Sequence, residues 1–149
     1  TGLAFGGNKT RKLEFLVAEA REQGADLLIS AGAIQSNHCR QTAAAAARYG
    51  FGCTLVLTGE KPEHASANFL LDQLFGAEIV TVEDRKDRDR ILQETFDKAV
   101  AAGKRPYLVP YGGSSPTGAT VATALRSRLH VSTGSWLVVR VAPARGRSD

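Results

Sequence analysis

The sequence predicts an α/β protein, an open parallel sheet with helices flanking it. Two observations predict it. Short apolar runs alternate in strict order with segments of helical period between residues 9 and 118, and a glycine follows most of the helical segments. Size agrees: 149 residues, 43% hydrophobic and 23% charged, are enough for one domain with a real core and not comfortably for two.

Lys9 to Gln23 reads as a helix, because Leu13, Leu16, Val17 and Ala20 recur at three- and four-residue spacing, and Gly24 closes it. Leu27 to Ser30 is a continuous apolar run of the kind found in strands buried on both faces. Ser36 or Asn37 can cap the next helix, which runs through an alanine-rich stretch to Tyr49 and stops at Gly50. Cys53 to Leu57 is a second strand. Ala65 to Phe75 is helical in pattern, with Phe69, Leu70, Leu74 and Phe75 on neighbouring turns, and ends at Gly76. Ile79 to Val82 is a third strand. Asp87 to Ala102 is an amphipathic helix presenting Ile91, Leu92, Thr95, Phe96 and Ala99 to a core, closed by Gly103. Tyr107 to Val109 is a fourth strand, leading through Pro110 into the glycine-rich run Tyr111 to Gly118.

The text changes character after Gly118. Residues 119–149 contain no lysine and no glutamate, and they carry five arginines against one acid, Asp149. A strand is expected at Trp136 to Val139. An arginine-rich, lysine-free stretch is what an out-of-frame reading of GC-rich DNA gives; a basic terminal extension is the alternative. The domain division expected is therefore residues 1–118 as the body and 119–149 as a divergent basic tail.

Charge excludes one class of function. The net charge is +4, but residues 1–118 hold 14 basic and 14 acidic side chains, so the excess sits in the tail and gives no reason to expect nucleic acid on the body. No apolar run approaches the ~18–20 residues of a membrane span, so no membrane partner is expected. Two cysteines, Cys39 and Cys53, cannot form a disulfide framework. Without a leader pattern ahead of Thr1, the expectation is a cytoplasmic protein.

Three segments can carry chemistry. The first is Gly6-Gly7-Asn8-Lys9-Thr10-Arg11-Lys12 at a helix start. It is not a nucleotide P-loop, because Asn8 separates Gly7 from Lys9 and no strand precedes. On spacing alone Lys9 is a solvated helix-start lysine. A lysine among glycines can also serve as a Schiff-base amine, with the glycines admitting a flat cofactor and Arg11 and Lys12 supplying positive charge. The second segment, Ser30 to His38, follows a strand and opens a helix, where open α/β sheets bind ligands, and it groups Ser36, Asn37 and His38. An N-cap with polar neighbours explains it equally. No acid stands near for a serine triad, and metal-ligand spacing is absent. Cys39 reads as a small buried residue rather than a nucleophile. The third, Gly112 to Gly118, offers backbone amides or is a plain strand-to-helix connection.

Together these segments resemble one family of pyridoxal-phosphate enzymes, that of D-cysteine desulfhydrase and 1-aminocyclopropane-1-carboxylate deaminase. Gly6 to Leu16 resembles its cofactor-lysine motif; Ala31 to His38 followed by Arg40-Gln41-Thr42 resembles its second signature; Arg105 to Pro110 leading into Gly112-Gly113-Ser114 resembles its third. The resemblance covers residues 1 to about 118. It implies a tryptophan-synthase β-like fold (fold type II), incomplete in this chain, and pyridoxal 5'-phosphate as cofactor. It implies further that Lys9 holds the cofactor and shuttles the α-proton, that Asn37 hydrogen-bonds the ring oxygen, and that Ser36 lies beside a small amino-acid substrate as a catalytic acid/base or a carboxylate-binding group. His38 fits the desulfhydrase branch, where the deaminases carry glutamine. The implied reaction is a carbon–sulfur lyase acting on D-cysteine, with the cyclopropane deaminase or a non-catalytic truncated product as alternatives and a homodimer as the full-length assembly. The family's phosphate loop lies beyond Gly118 and finds no counterpart in residues 119–149, so the chain alone is expected to bind the cofactor poorly.

Overall fold

The computed structural model describes residues 8–111, with side chains from Leu13 onward. The glycine-rich run after Tyr111, the tail and the expected strand at Trp136 to Val139 lie outside the described residues. The element order is α1 (Asn8–Glu22), β1 (Leu27–Ala33), α2 (Asn37–Tyr49), β2 (Gly52–Thr58), α3 (Ala67–Leu74), β3 (Glu78–Val82), α4 (Arg88–Ala101) and β4 (Pro106–Leu108). Every element expected between residues 9 and 109 is present, its ends within a few residues of the expectation. The four strands form one sheet in the order β3-β2-β1-β4, and each neighbouring pair is parallel.

The sheet is covered on both faces, which is why its central strands are mostly apolar, with Ser30 and Thr54 the buried polar exceptions. Leu28 on β1 and Leu55 and Leu57 on β2 face α1, α2 and α3, in a core that also takes Leu13, Val17, Ala20, Phe69 and Tyr107. Ile29, Ala31 and Val56 point the other way, against Leu92 and Phe96 of α4. Helix α2 packs on β1 and β2 while touching both α1 and α3. Its alanines make that crowding possible, with Ala43 to Ala46 all buried. Ser36 caps α2 by accepting from the Cys39 amide, and Gly50 ends it at φ 77°, a left-handed conformation that a glycine adopts without penalty.

Helix α3 departs from the expected apolar face. Phe69 is buried, but Leu74 is 71% exposed and Leu70 is exposed too, while Asp72 is fully buried. The helix spans only eight residues, and its tertiary docking, rather than its own periodicity, selects the inward face. Ala67, its first residue, has φ 47°, a left-handed conformation that costs a non-glycine residue ~1–2 kcal/mol. Such strain persists only where surrounding contacts hold it, and those contacts come from the β1–α2 loop.

Candidate active site

Strand order places the site. The chain moves from β1 to β2 to β3 in one direction, and β4 lies on the other side of β1. This reversal is a topological switch point, and the crevice beyond the carboxyl ends of the strands there is where open α/β sheets bind ligands. The loops leaving β1 and β4 flank it. One leads through Ile34 and Gln35 to Ser36 and Asn37 at the N-terminus of α2; the other leads through Val109 and Pro110 to Tyr111.

Ser30 ties the two sides together. Its hydroxyl donates to the Val109 carbonyl at 2.9 Å, and its oxygen lies 3.1 Å from Nε2 of His38. A serine has one hydroxyl proton, and Val109 takes it, so Nε2 of His38 must be the donor to Ser30. The imidazole is thereby assigned a proton on Nε2, and it links the first turn of α2 to β1 and β4.

Gly32 sets how closely α2 approaches the strand. A Cβ at this position would stand 2.7 Å from Sγ of Cys39 and 2.8 Å from both Cβ and Oγ of Ser36. The N-terminus of α2 therefore rests on bare backbone. Gly32→Ala is expected to push the Ser36–Asn37 turn outward and to destabilise the fold by ~1–3 kcal/mol, as overpacking does. Urea unfolding measures it; unchanged stability would mean that the turn yields at no cost.

Ser36 is half-buried, and Asn37 is exposed. Because the Ser36 oxygen already accepts the Cys39 amide at 3.3 Å, what its side chain offers a ligand is a proton to donate. The positive end of the α2 dipole favours a negative partner at the same point. Asn37 accepts a hydrogen bond at Oδ1 from Nδ2 of Asn68 at 2.9 Å, which turns its own amide N–H group outward. The site thus offers donors, suited to a carboxylate or to a ring oxygen carrying negative charge. That is the polarity the ring of pyridoxal phosphate requires, so the described residues fit that part of the cofactor.

Lys9 lies in the first turn of α1, which packs along α2. Its side chain lies outside the described residues, as do Gly112 to Gly118. The two cysteines are inert by placement: burial pushes both the Cys39 and Cys53 thiols up to about 12, so neither is a thiolate at neutral pH. Among the described residues no group of His, Cys, Asp and Glu is arranged to hold a metal, and no helix is long and apolar enough to cross a membrane. A cleft of about 630 Å³ opens between the sheet and α4. It reaches Leu27 and Gly52, at the amino ends of their strands, and so lies at the opposite end of the sheet from the switch point.

Sequence reasoning missed Gln35, Asn68 and Tyr111. The Gln35 Oε1 accepts from the backbone amides of Asn68 at 2.9 Å and Phe69 at 3.3 Å, so a residue of the β1–α2 loop caps α3, a task the Ser66 side chain leaves undone. Tyr111 donates to Asp89 at 2.9 Å and receives a hydrogen bond from Arg88, whose guanidinium stands 4.3 Å from the ring centre. The exit of β4 is thereby fastened to the start of α4. Tyr111 could have been noticed as an aromatic at the mouth of the glycine-rich run; Gln35 and Asn68, distant in sequence, give no local signal.

The parallel sheet and its switch point define an open-sheet α/β protein, with donors at the α2 N-terminus that suit a ligand carrying negative charge. More particularly, the chain belongs to the pyridoxal-phosphate dependent enzyme family, whose model matches residues 2–139 and so runs past Gly118. The chain is 49% identical over 124 residues to D-cysteine desulfhydrase of Yersinia enterocolitica, an alignment covering 80% of this chain and 38% of the relative. It is 50% identical, with the same coverage, to that of Salmonella newport. Among solved structures, an ACC deaminase homologue superposes with a TM-score of 0.68 at 34% identity, covering 90% of this chain and 41% of the other. A hydrogen sulfide-producing enzyme of Fusobacterium nucleatum shares the fold, with a TM-score of 0.51 at 15% identity over 67% of this chain and 32% of the other. The chain spans about 38% of the length of the curated relatives it matches.

Proposed function

We propose that the protein is a pyridoxal-phosphate-dependent carbon–sulfur lyase acting on D-cysteine, of which this chain supplies the cofactor lysine and the ring-binding loop. The observation that carries the reading is the 49–50% identity to D-cysteine desulfhydrases over 80% of the chain. The donor set at the α2 N-terminus supports it. The overall change is D-cysteine plus water to pyruvate, hydrogen sulfide and ammonia. The cofactor supplies the electron sink that makes loss of the α-proton feasible.

The chain's own residues then have distinct tasks. Lys9 holds the cofactor and moves the proton at the substrate α-carbon. Asn37 donates from its amide to the cofactor's ring oxygen. Ser36, whose oxygen is engaged by Cys39, donates its hydroxyl proton to the substrate carboxylate, assisted by the α2 dipole. His38 does not face the reaction as a base at Nε2, since that atom is committed to Ser30. A homodimer and a cytoplasmic location complete the proposal. The deaminase reading is the second, favoured by the 34%-identical ACC deaminase homologue. Assaying the full-length protein on both substrates decides between them. Pyruvate and sulfide from D-cysteine are expected; preferential ammonia release from 1-aminocyclopropane-1-carboxylate would overturn the first reading.

A further inference from the structure

We propose that Asn68 on α3 is a positioning residue, which holds Asn37 with its amide N–H toward the cofactor, and that Arg40 dictates the polarity of the pair. The proposal rests on the assignment of Asn37 to the cofactor's ring oxygen and extends it to residues that touch no ligand.

The argument is one of donors and acceptors. A guanidinium can only donate. Arg40 places its Nη1 2.9 Å from Oδ1 of Asn68, so the oxygen of that amide must face Arg40 and its nitrogen must face away. The Asn68 Nδ2 then meets two acceptors, the Gln35 carbonyl at 2.8 Å and Oδ1 of Asn37 at 2.9 Å, which use both of its protons. Asn37 is left one arrangement, oxygen inward to Asn68 and N–H outward. An amide's two ends are nearly equal in shape, and an isolated asparagine at a helix start would turn either way. The chain from Arg40 through Asn68 to Asn37 removes that freedom, so the donor is oriented before the ligand arrives.

The surroundings hold Asn68 in place. Its backbone amide donates to Oε1 of Gln35, while Nε2 of Gln35 donates to the Ser66 carbonyl at 3.4 Å. Loop and helix thus exchange hydrogen bonds in both directions, and this exchange accompanies the left-handed Ala67 beside it. Asn68 is half-buried, which shields these bonds in part from water.

The test is a pair of double-mutant cycles in the full-length protein, read as pyridoxal-phosphate affinity and as the position of the bound cofactor's visible absorption band. Asn68→Asp keeps the shape and the acceptor for Arg40 but replaces the donor that meets Asn37 with an acceptor. Asn37 should then turn its N–H inward and present its oxygen to the ring oxygen. Affinity should fall about 10- to 100-fold, as for a misdirected hydrogen bond to a charged group, and fall further than in Asn68→Ala. The absorption band should shift in the sense seen for Asn37→Ala. In an Asn37→Ala background neither change at Asn68 should alter affinity by more than about twofold. Equal losses in both backgrounds would overturn the proposal, since the added charge or a general loosening would then be acting without Asn37. If Asn37→Ala itself left affinity and spectrum unchanged, the ring-oxygen assignment would fall and the proposal with it. Should the aspartate variant fail to fold, the alanine variant in the two backgrounds carries the same comparison.

Discussion

Lys9→Ala is expected to abolish lyase activity in the full-length protein, by about 10³-fold or more, while leaving the melting temperature close to that of the parent. The loss is large because one amine is assigned two tasks, holding the cofactor and moving the α-proton, and each alone contributes orders of magnitude. The stability should survive because α1 is anchored one turn and more beyond Lys9, through the buried Leu13, Val17 and Ala20. No acidic residue stands in the first turn of α1 to hold the amine in an ion pair there. Lys9→Arg is the sharper variant. It keeps the positive charge and the helix start, yet a guanidinium does not deprotonate near neutral pH and cannot act as a nucleophile or a base. Both variants should be equally dead, and added small amines should restore some activity to the alanine form alone. An active arginine variant would mean that Lys9 serves only by its charge, which is the solvated helix-start role its spacing equally allows.

The fold was legible because its punctuation is local. Gly24, Gly50, Gly76 and Gly103 all take the left-handed conformation near the ends of α1 to α4, and the apolar runs between them are the strands. Ser36 and Asn37 were legible as a cap and its neighbour for the same reason: a cap is a matter of a few adjacent residues. The parts that escaped depend on contacts between distant segments. Gln35 and Asn68 lie 33 residues apart and meet only when α3 docks on the β1–α2 loop. On α3 the periodicity offers Leu70 and Leu74 to the core, yet the helix turns Asp72 inward instead. That choice places a carboxylate near Arg40, the residue that orients Asn68, and the helix's own sequence gives no reason for it.

The buried Asp72 has a measurable consequence for stability. Neither of its carboxylate oxygens has a hydrogen-bond partner among the described residues, and the side chain is fully buried. Burial pushes the carboxyl up to about 7, from an ordinary value of 3.8, against the opposing pull of the Arg40 charge. Desolvation therefore outweighs the attraction of the Arg40 charge. A raised carboxyl binds its proton more tightly in the folded state than in the unfolded one, so folding is most favoured when the group is protonated. Its contribution is fully present below about pH 4, is lost progressively as the pH rises to about 7, and is flat above that. A three-unit shift corresponds to at most ~4 kcal/mol, and relaxation around the site should leave roughly half of it. Asp72→Asn removes the titration and keeps the shape. Urea unfolding at pH 5 and pH 8 is the measurement, compared as the difference between parent and variant so that other carboxylates cancel. The variant is expected to gain on the parent by about 1 kcal/mol between those two pH values, because only about two of the three units lie above pH 5. A difference that stays constant with pH would mean that Asp72 is ionised throughout and that the attraction of the Arg40 charge outweighs burial after all.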